Sequence, residues 1–375
     1  MKCPRQQRHP QHDDFLSSRR IFPPGLTGKE PLADVLDTVF LAYNAARLRE
    51  GAQLFVRKML EPEVTVGMSL AGALTPAGLG VSCVVPLIEA GFVDWIVCTG
   101  ANLYHDLHFA FNYRLVAGDF RIDDRTLHDV GVVRIYDVLL SLDECLIETD
   151  HRVKEMLERP EFQRSLTTAE LHHQMGKYAA EAEEKAGLPH VSILAAAYRC
   201  GVPIYTSSPG DSTIGMVAAE TWLRGSRLRL DPLADVNETT AIYYWSKQEQ
   251  RKSAVLIFGG GSPKNFVLQT APQASDILGL DTPGHDYFLQ FTDARPDTGG
   301  LSGATPQEAV SWGKVDPEHV PDSVVCYLDS TVAMPLLTAY ALSRHPIRPA
   351  RRLYDRRSEV LEYLRQACDR ARSGD

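Results

Sequence analysis

The segment Thr305-Pro306-Gln307-Glu308-Ala309-Val310-Ser311-Trp312-Gly313-Lys314 carries the residue types that most directly suggest covalent chemistry. A carboxylate precedes an indole, an amine follows two residues later, and Gly299-Gly300 and Ser302-Gly303 open the approach. Glycine admits close backbone approach and positive-φ turns, so this approach to an aromatic-flanked lysine reads as a built pocket. Desolvated beside an indole, the Lys314 amine can lose its proton near neutral pH and act as an imine-forming nucleophile. The same spacing suits an exposed lysine at a helix end, and the segment by itself leaves both open.

Other clusters are weaker. Gly259-Gly260-Gly261-Ser262-Pro263-Lys264 follows an apolar run and could bring backbone N–H groups against a phosphate. It has neither GxGxxG nor Walker spacing, and a glycine triplet alone also suits a tight turn. A second glycine-bearing stretch, 67–78, precedes a helix-like run and suits close helix packing or a dinucleotide across a helix N-terminus. His105 and His108 share a helix face, but no HExxH or third ligand accompanies them. No metal is expected there; an acid–base role for His105 is the preferred reading. No GxSxG elbow is present.

These residues must be positioned by the elements around them. Helical periodicity covers 32–60, 162–187, 192–200 and 335–342. Short apolar runs at 95–98, 203–205, 254–258, 287–291 and 324–328 each end in small or polar residues. Those ends bear Thr99-Gly100-Ala101, Asp211, the triplet around Gly260, Asp293-Ala294 and Asp329-Ser330. Continuous apolar strands alternating with helices predict an α/β fold with a Rossmann-like parallel sheet and helices on both faces. Ligands bind beyond the carboxyl ends of such strands, so five such ends predict one site. A single large domain over 21–345 is expected, behind a flexible arm at 1–20 and before an Arg-rich helix at 346–375.

With 375 residues, 44% hydrophobic and a formal net charge of -9, the chain can bury a large core and is a poor nucleic-acid binder. Seven scattered cysteines without CxxC fit reduced thiols in a cytoplasmic protein. No stretch is long and apolar enough to span a membrane, and residues 1–14 lack the apolar core of a secretory signal.

With Lys314, the triplet and the Asp-bearing strand ends assembled, the chain from Thr27 to Leu342 resembles deoxyhypusine synthase, most specifically through Glu-Ala-Val-Ser-Trp-Gly-Lys. The resemblance implies an NAD-dependent transferase that moves a 4-aminobutyl group from spermidine, and homotetramers with sites at dimer interfaces. It assigns the covalent imine to Lys314 and polyamine contacts to Trp312 and Glu308. It puts Thr99, Gly100, Ala101, Asp211, Gly260, Asp293, Ala294, Asp329 and Ser330 on cofactor positions. Departures accompany the matches: Tyr104-His105 replace an acidic pair, Met216 and Leu301 replace aspartates, and Asn265 replaces a histidine. Carboxylates hold the ammonium ends of polyamines, so a rebuilt pocket with a small-amine acceptor is expected, Glu308, Asp293 and Asp297 being available to compensate. The alternatives are a homospermidine synthase-type enzyme, modification of a translation-factor lysine, and a catalytically silent NAD-binding homologue.

Overall fold

A computed structural model describes residues 15–18, 20–248 and 250–373. The expected arm at 1–20 therefore falls largely outside the described residues. The chain begins with helices α1 (Leu32–Val39) and α2 (Tyr43–Leu54), then strands β1 (Val64–Leu70) and β2 (Trp95–Cys98) and helix α3 (Gly100–Ala110). A small antiparallel sheet (Leu115–Ala117, Val132–Ile135, Val138–Ser141) precedes α4 (Thr168–Ala186) and α5 (Ile193–Cys200). Next come β3 (Ile204–Tyr205), α6 (Thr213–Leu223), α7 (Pro232–Ser246), β4 (Lys252–Phe258), α8 (Gly261–Leu268) and β5 (Tyr287–Phe291). The chain continues through α9 (Pro306–Ser311), β6 (Ser323–Cys326), α10 (Ser330–Arg344) and α11 (Arg357–Ser373).

The six strands form one sheet in the order β6-β5-β4-β1-β2-β3, every pair parallel. The chain lays down β1 to β3 in one direction, then returns to set β4 against the free side of β1. Loops leaving β1 and β4 therefore diverge to opposite faces, which opens a crevice at their carboxyl ends. Alternate side chains supply two cores. Val66, Met68, Leu256 and Leu289 pack with α1 to α5 and α10 on one face. Trp95, Val97, Val255, Ile257 and Phe288 pack with α7, α8 and α11 on the other. The α/β sheet with helices on both faces matches the expectation from the sequence.

Strand β1 corrects part of it. The glycine-bearing stretch 67–78 does precede a helical run, Gly80–Val84 and Val85–Glu89, but its first residues, Gly67–Leu70, are the end of the central strand. Its second face is Thr65, Gly67 and Ser69, all buried, which hides the apolar run that marks the other strands. Gly67 is required by packing: an added Cβ would lie 2.6 Å from the buried Trp95 ring.

The C-terminal segment packs into this frame. Arg348 Nη2 lies 3.0 Å from Asp94 Oδ2, and Arg351 Nε lies 3.5 Å from Asp94 Oδ1. The same Oδ2 accepts a hydrogen bond from the Val66 N–H of β1 at 2.8 Å. Beyond them α11 buries Val360, Leu364 and Ala367 against α7, and Arg357 reaches Glu238 at 3.1 Å. The six described cysteines are free thiols, and no described helix is long and apolar enough to cross a membrane.

Overpacking a close-packed core costs about 1–3 kcal/mol. Gly67→Ala is expected to lower the unfolding free energy by that amount, seen as a lower denaturant midpoint at an unchanged slope. An unchanged midpoint would show that Trp95 moves aside freely.

Candidate active site

Two clefts meet on the carboxyl edge of the sheet. The first, a cavity of about 200 Å³, lies at the switch between β1 and β4 and is lined by Ala71, Gly72, Thr99, Gly100, Ser207, Ser208, Asp211, Gly261, Ser262 and Pro263. Thr99 caps α3, its hydroxyl accepting from Asn102 N–H and donating to Gly72 O at 2.5 Å. Gly100 and Gly260 serve loop packing: an added Cβ would meet Ser212 Oγ at 2.3 Å and Ser302 Cα at 2.4 Å. The Gly261 N–H donates to Ser302 Oγ at 2.9 Å, so this donor of the triplet is already engaged. Next to the cavity residue Ser207, the buried Thr206 hydroxyl has no partner.

The other expected cofactor residues spread along the same edge. Ala101 follows Gly100 in the first turn of α3. Ala294 N–H donates to Thr292 Oγ1 at 3.1 Å beside the exposed Asp293, after β5. Asp329 caps α10 through the Thr331 N–H at 2.9 Å, next to the buried Ser330. Asp211 follows β3 and Asp329 follows β6, at opposite ends of the sheet. At about 4.8 Å per strand interval the two lie roughly 24 Å apart, so only an extended ligand could engage both.

The second cleft holds the lysine. Thr305 caps α9 by accepting the Glu308 N–H at 3.2 Å, and the helix ends at Trp312. Gly313, at φ 65°, turns the chain so that Lys314 N–H reaches Ala309 O at 3.0 Å. The Lys314 amine donates to Asn265 Oδ1 at 2.8 Å and sits 5.5 Å from the Trp312 ring centre. Around it lies a cavity of about 290 Å³ with Lys264, Asn265, Leu301, Thr305, Glu308 and Trp312 among its walls. Burial lowers the Lys314 pKa from the ordinary lysine value, and the Glu308 carboxylate opposes that shift. Trp312 itself is 63% exposed, so in the single chain the indole flanks the amine without sealing it from water, contrary to expectation.

Lys264 is the residue that sequence reasoning missed. It is 3% exposed, and its amine donates to Gln290 Oε1 at 2.9 Å and Ala304 O at 2.7 Å. Burial brings its pKa down to about 8; Glu308 opposes this and the like charge of Lys314 adds to it. Gln290 in turn donates to Gly259 O and Ser302 O, both at 2.8 Å, tying the 301–304 loop to the triplet. Lys264 lies three residues past Gly261 on α8, whose first turn borders one cleft and whose second borders the other. The available signal is the GGGxxK spacing, which lacks Walker spacing yet sets the lysine one helical turn past the triplet.

Not every expected site residue joins the lysine. His105 does not line its cavity; the imidazole lies 3.0 Å from His108 Nε2, and burial lowers its pKa to about 4. His108 contacts Thr149 Oγ1 at 2.8 Å. Tyr104 is buried against Asp150, with its hydroxyl donating at 2.6 Å, and Met216 is exposed on α6. Of the departures, only Asn265 and Leu301 line the lysine cavity within one chain.

Glu308→Gln removes the charge that holds the Lys314 proton, so the amine should deprotonate at lower pH. The pH dependence of Lys314 labelling by an amine-reactive reagent, read by peptide mass, is expected to shift towards acid. A shift towards alkali would show that Glu308 does not act on this amine.

Comparison with known proteins sets this geometry in context. The family model described as deoxyhypusine synthase matches residues 32–341. A deoxyhypusine synthase-like protein of Nostoc sp. is 54% identical over 347 residues, covering 92% of this chain and 90% of its own. A protein of Methanosarcina mazei named "Probable deoxyhypusine synthase 2" is 37% identical over 300 residues, covering 80% and 83%. The crystal structure of a candidate deoxyhypusine synthase from Entamoeba histolytica shares the fold, with a TM-score of 0.56 at 13% identity over 88% of this chain and 99% of that one.

Proposed function

The chain belongs to the deoxyhypusine synthase family, and on that premise we propose that it is an NAD-dependent transferase moving an aminobutyl or similar aminoalkyl group from a polyamine such as spermidine to an acceptor amine. The observation that carries this reading is the half-buried Lys314 amine, with its lowered pKa, held by Asn265 in a cavity that also contains Glu308. Bound NAD would supply the hydride acceptor for oxidation of the donor carbon next to the secondary amine. Thr99, Gly100, Ala101, Asp211, Gly260, Asp293, Ala294, Asp329 and Ser330 would hold it along the sheet edge. The switch-point cavity and the unpartnered Thr206 hydroxyl beside it support that fit.

Lys314 then attacks the oxidised carbon as a neutral amine, a 1,3-diamine leaves, and the retained fragment stays on the lysine as an imine. Asn265 Oδ1 orients the amine, and Glu308 offers a carboxylate to a donor ammonium. Trp312, whose ring centre lies 5.5 Å from the Lys314 amine, offers an aromatic surface to the same cation. Neutral Asn265 and apolar Leu301 leave Glu308 as the one carboxylate among the described lining residues, which favours a small amine over a protein lysine as acceptor. The reading includes a homotetramer in the cytoplasm, and the exposed Trp312 beside the lysine supports a second copy covering that face.

Borohydride added during turnover should fix the donor fragment to Lys314. Lys314→Arg should bind NAD normally yet lose transfer by orders of magnitude, because a guanidinium stays protonated. Near wild-type transfer by this variant would mean that the group passes directly between amines. Asp211→Ala should weaken NAD binding in a direct titration; equal affinity would remove Asp211 from the cofactor site.

A further inference from the structure

Lys314 stands in a wall shared by two cavities. Behind the one that holds Glu308 lies another of about 320 Å³, between α7 and the helical run that continues α8, and Gln269, Trp312 and Lys314 line both. Three features of this rear cavity point to a ligand. Thr240, a residue of the cavity wall, is 0% exposed, and its hydroxyl has no hydrogen-bond partner among the described residues. Among the described residues Asp276 is the one carboxylate lining it and Lys314 the one cation; Asp276 lies exposed at the mouth, one oxygen accepting the Ser275 hydroxyl at 2.7 Å. The walls between them are mixed: Val236, Phe266 and Ile277 beside Thr239, Gln269 and Gln273.

We propose that this rear cavity binds the acceptor, as an acyclic diamine or longer polyamine, while the donor occupies the Glu308 side. The proposal rests on the imine reading of Lys314. The acceptor needs one neutral amine at the lysine and carries at least one ammonium at its far end, which Asp276 pairs. Asn265, Gln269 and Gln273 follow one another at four-residue spacing on the helical run, and Asp276 comes three later. Eleven residues at 1.5 Å put Asp276 roughly 16 Å along that axis from Asn265, which holds the Lys314 amine, so an extended chain fits and a monoamine leaves Asp276 unused. The Thr240 hydroxyl supplies a polar contact along the way.

The chemistry balances without a further reagent. The acceptor's neutral nitrogen adds to the carbon of the protonated Lys314 imine, and one of its protons passes to the lysine nitrogen. The carbon–lysine bond then breaks with its electron pair on Lys314, leaving a free lysine amine and a new protonated imine on the acceptor. Nothing is oxidised in this exchange; final reduction of that imine uses the hydride taken from the donor in the first half.

Asp276→Asn and Thr240→Val separate the two halves. Both variants are expected to release the 1,3-diamine and trap the fragment on Lys314 at the wild-type rate with unchanged donor KM. For 1,7-diaminoheptane as acceptor, Asp276→Asn should raise KM about tenfold, the loss expected for one charge-assisted contact, whereas 1,4-diaminobutane is too short to bridge from Lys314 to Asp276 and should not respond. Butylamine, lacking the second ammonium, should be indifferent to Asp276. A changed donor KM, or an unchanged KM for 1,7-diaminoheptane in both variants, would overturn the rear-cavity assignment. Calorimetric titration of 1,7-diaminoheptane into wild type and Asp276→Asn decides the site without turnover: weaker binding in the variant supports it, and equal binding overturns it. Absence of the first half-reaction in the wild type would sink the imine reading and leave that titration to judge the cavity.

Discussion

The structure depends on β1 being buried on both faces between β4 and β2. A parallel strand in that position must satisfy both neighbours and admit side chains from two cores, and Gly67 does so by leaving room for the Trp95 indole. Because the chain order reverses across this strand, its carboxyl end and that of β4 define where a crevice opens. The triplet after β4 starts α8, and α8 carries Lys264 and Asn265 towards Lys314. The position of the amine is thus set by the centre of the sheet, through a helix only eight residues long.

Electrostatics on this edge are a contest between burial and a few fixed acceptors. Bringing Lys264 from the ordinary lysine pKa to about 8 corresponds to roughly 3 kcal/mol against its charge. Gln290 Oε1 and Ala304 O satisfy the ammonium and so keep that cost bearable. Lys314 has one protein acceptor, Asn265, and a more open setting. Two amines near one exposed Glu308 thus divide their roles: Lys264 closes a loop, and Lys314 is left accessible.

Five of the six strands were legible because they are continuous apolar runs with polar ends. β1 was hidden by Thr65, Gly67 and Ser69, small residues that fit beneath packed neighbours and carry no hydrophobic signal. The Glu308–Lys314 segment was legible because its chemistry is local. Lys264 and Thr240 were not, since burial of a lysine or an unpartnered hydroxyl depends on loops distant in sequence. His105 shows the converse: its position after a strand and its shared helix face with His108 were clear, whereas its distance from the Lys314 cavity was not.

Asp94 has a consequence for the order in which the protein can be made. Its carboxylate sits under the central strand, holding the Val66 N–H, yet the guanidiniums that neutralise it belong to Arg348 and Arg351, more than 250 positions later. A nascent chain that has already paired β1 with β2 holds this carboxylate without its arginine partners until they leave the ribosome, and burying such a charge unpaired costs several kcal/mol. Release of a shortened polypeptide therefore leaves the sheet electrostatically incomplete at its heart, and completion of synthesis is written into the stability of the first strand.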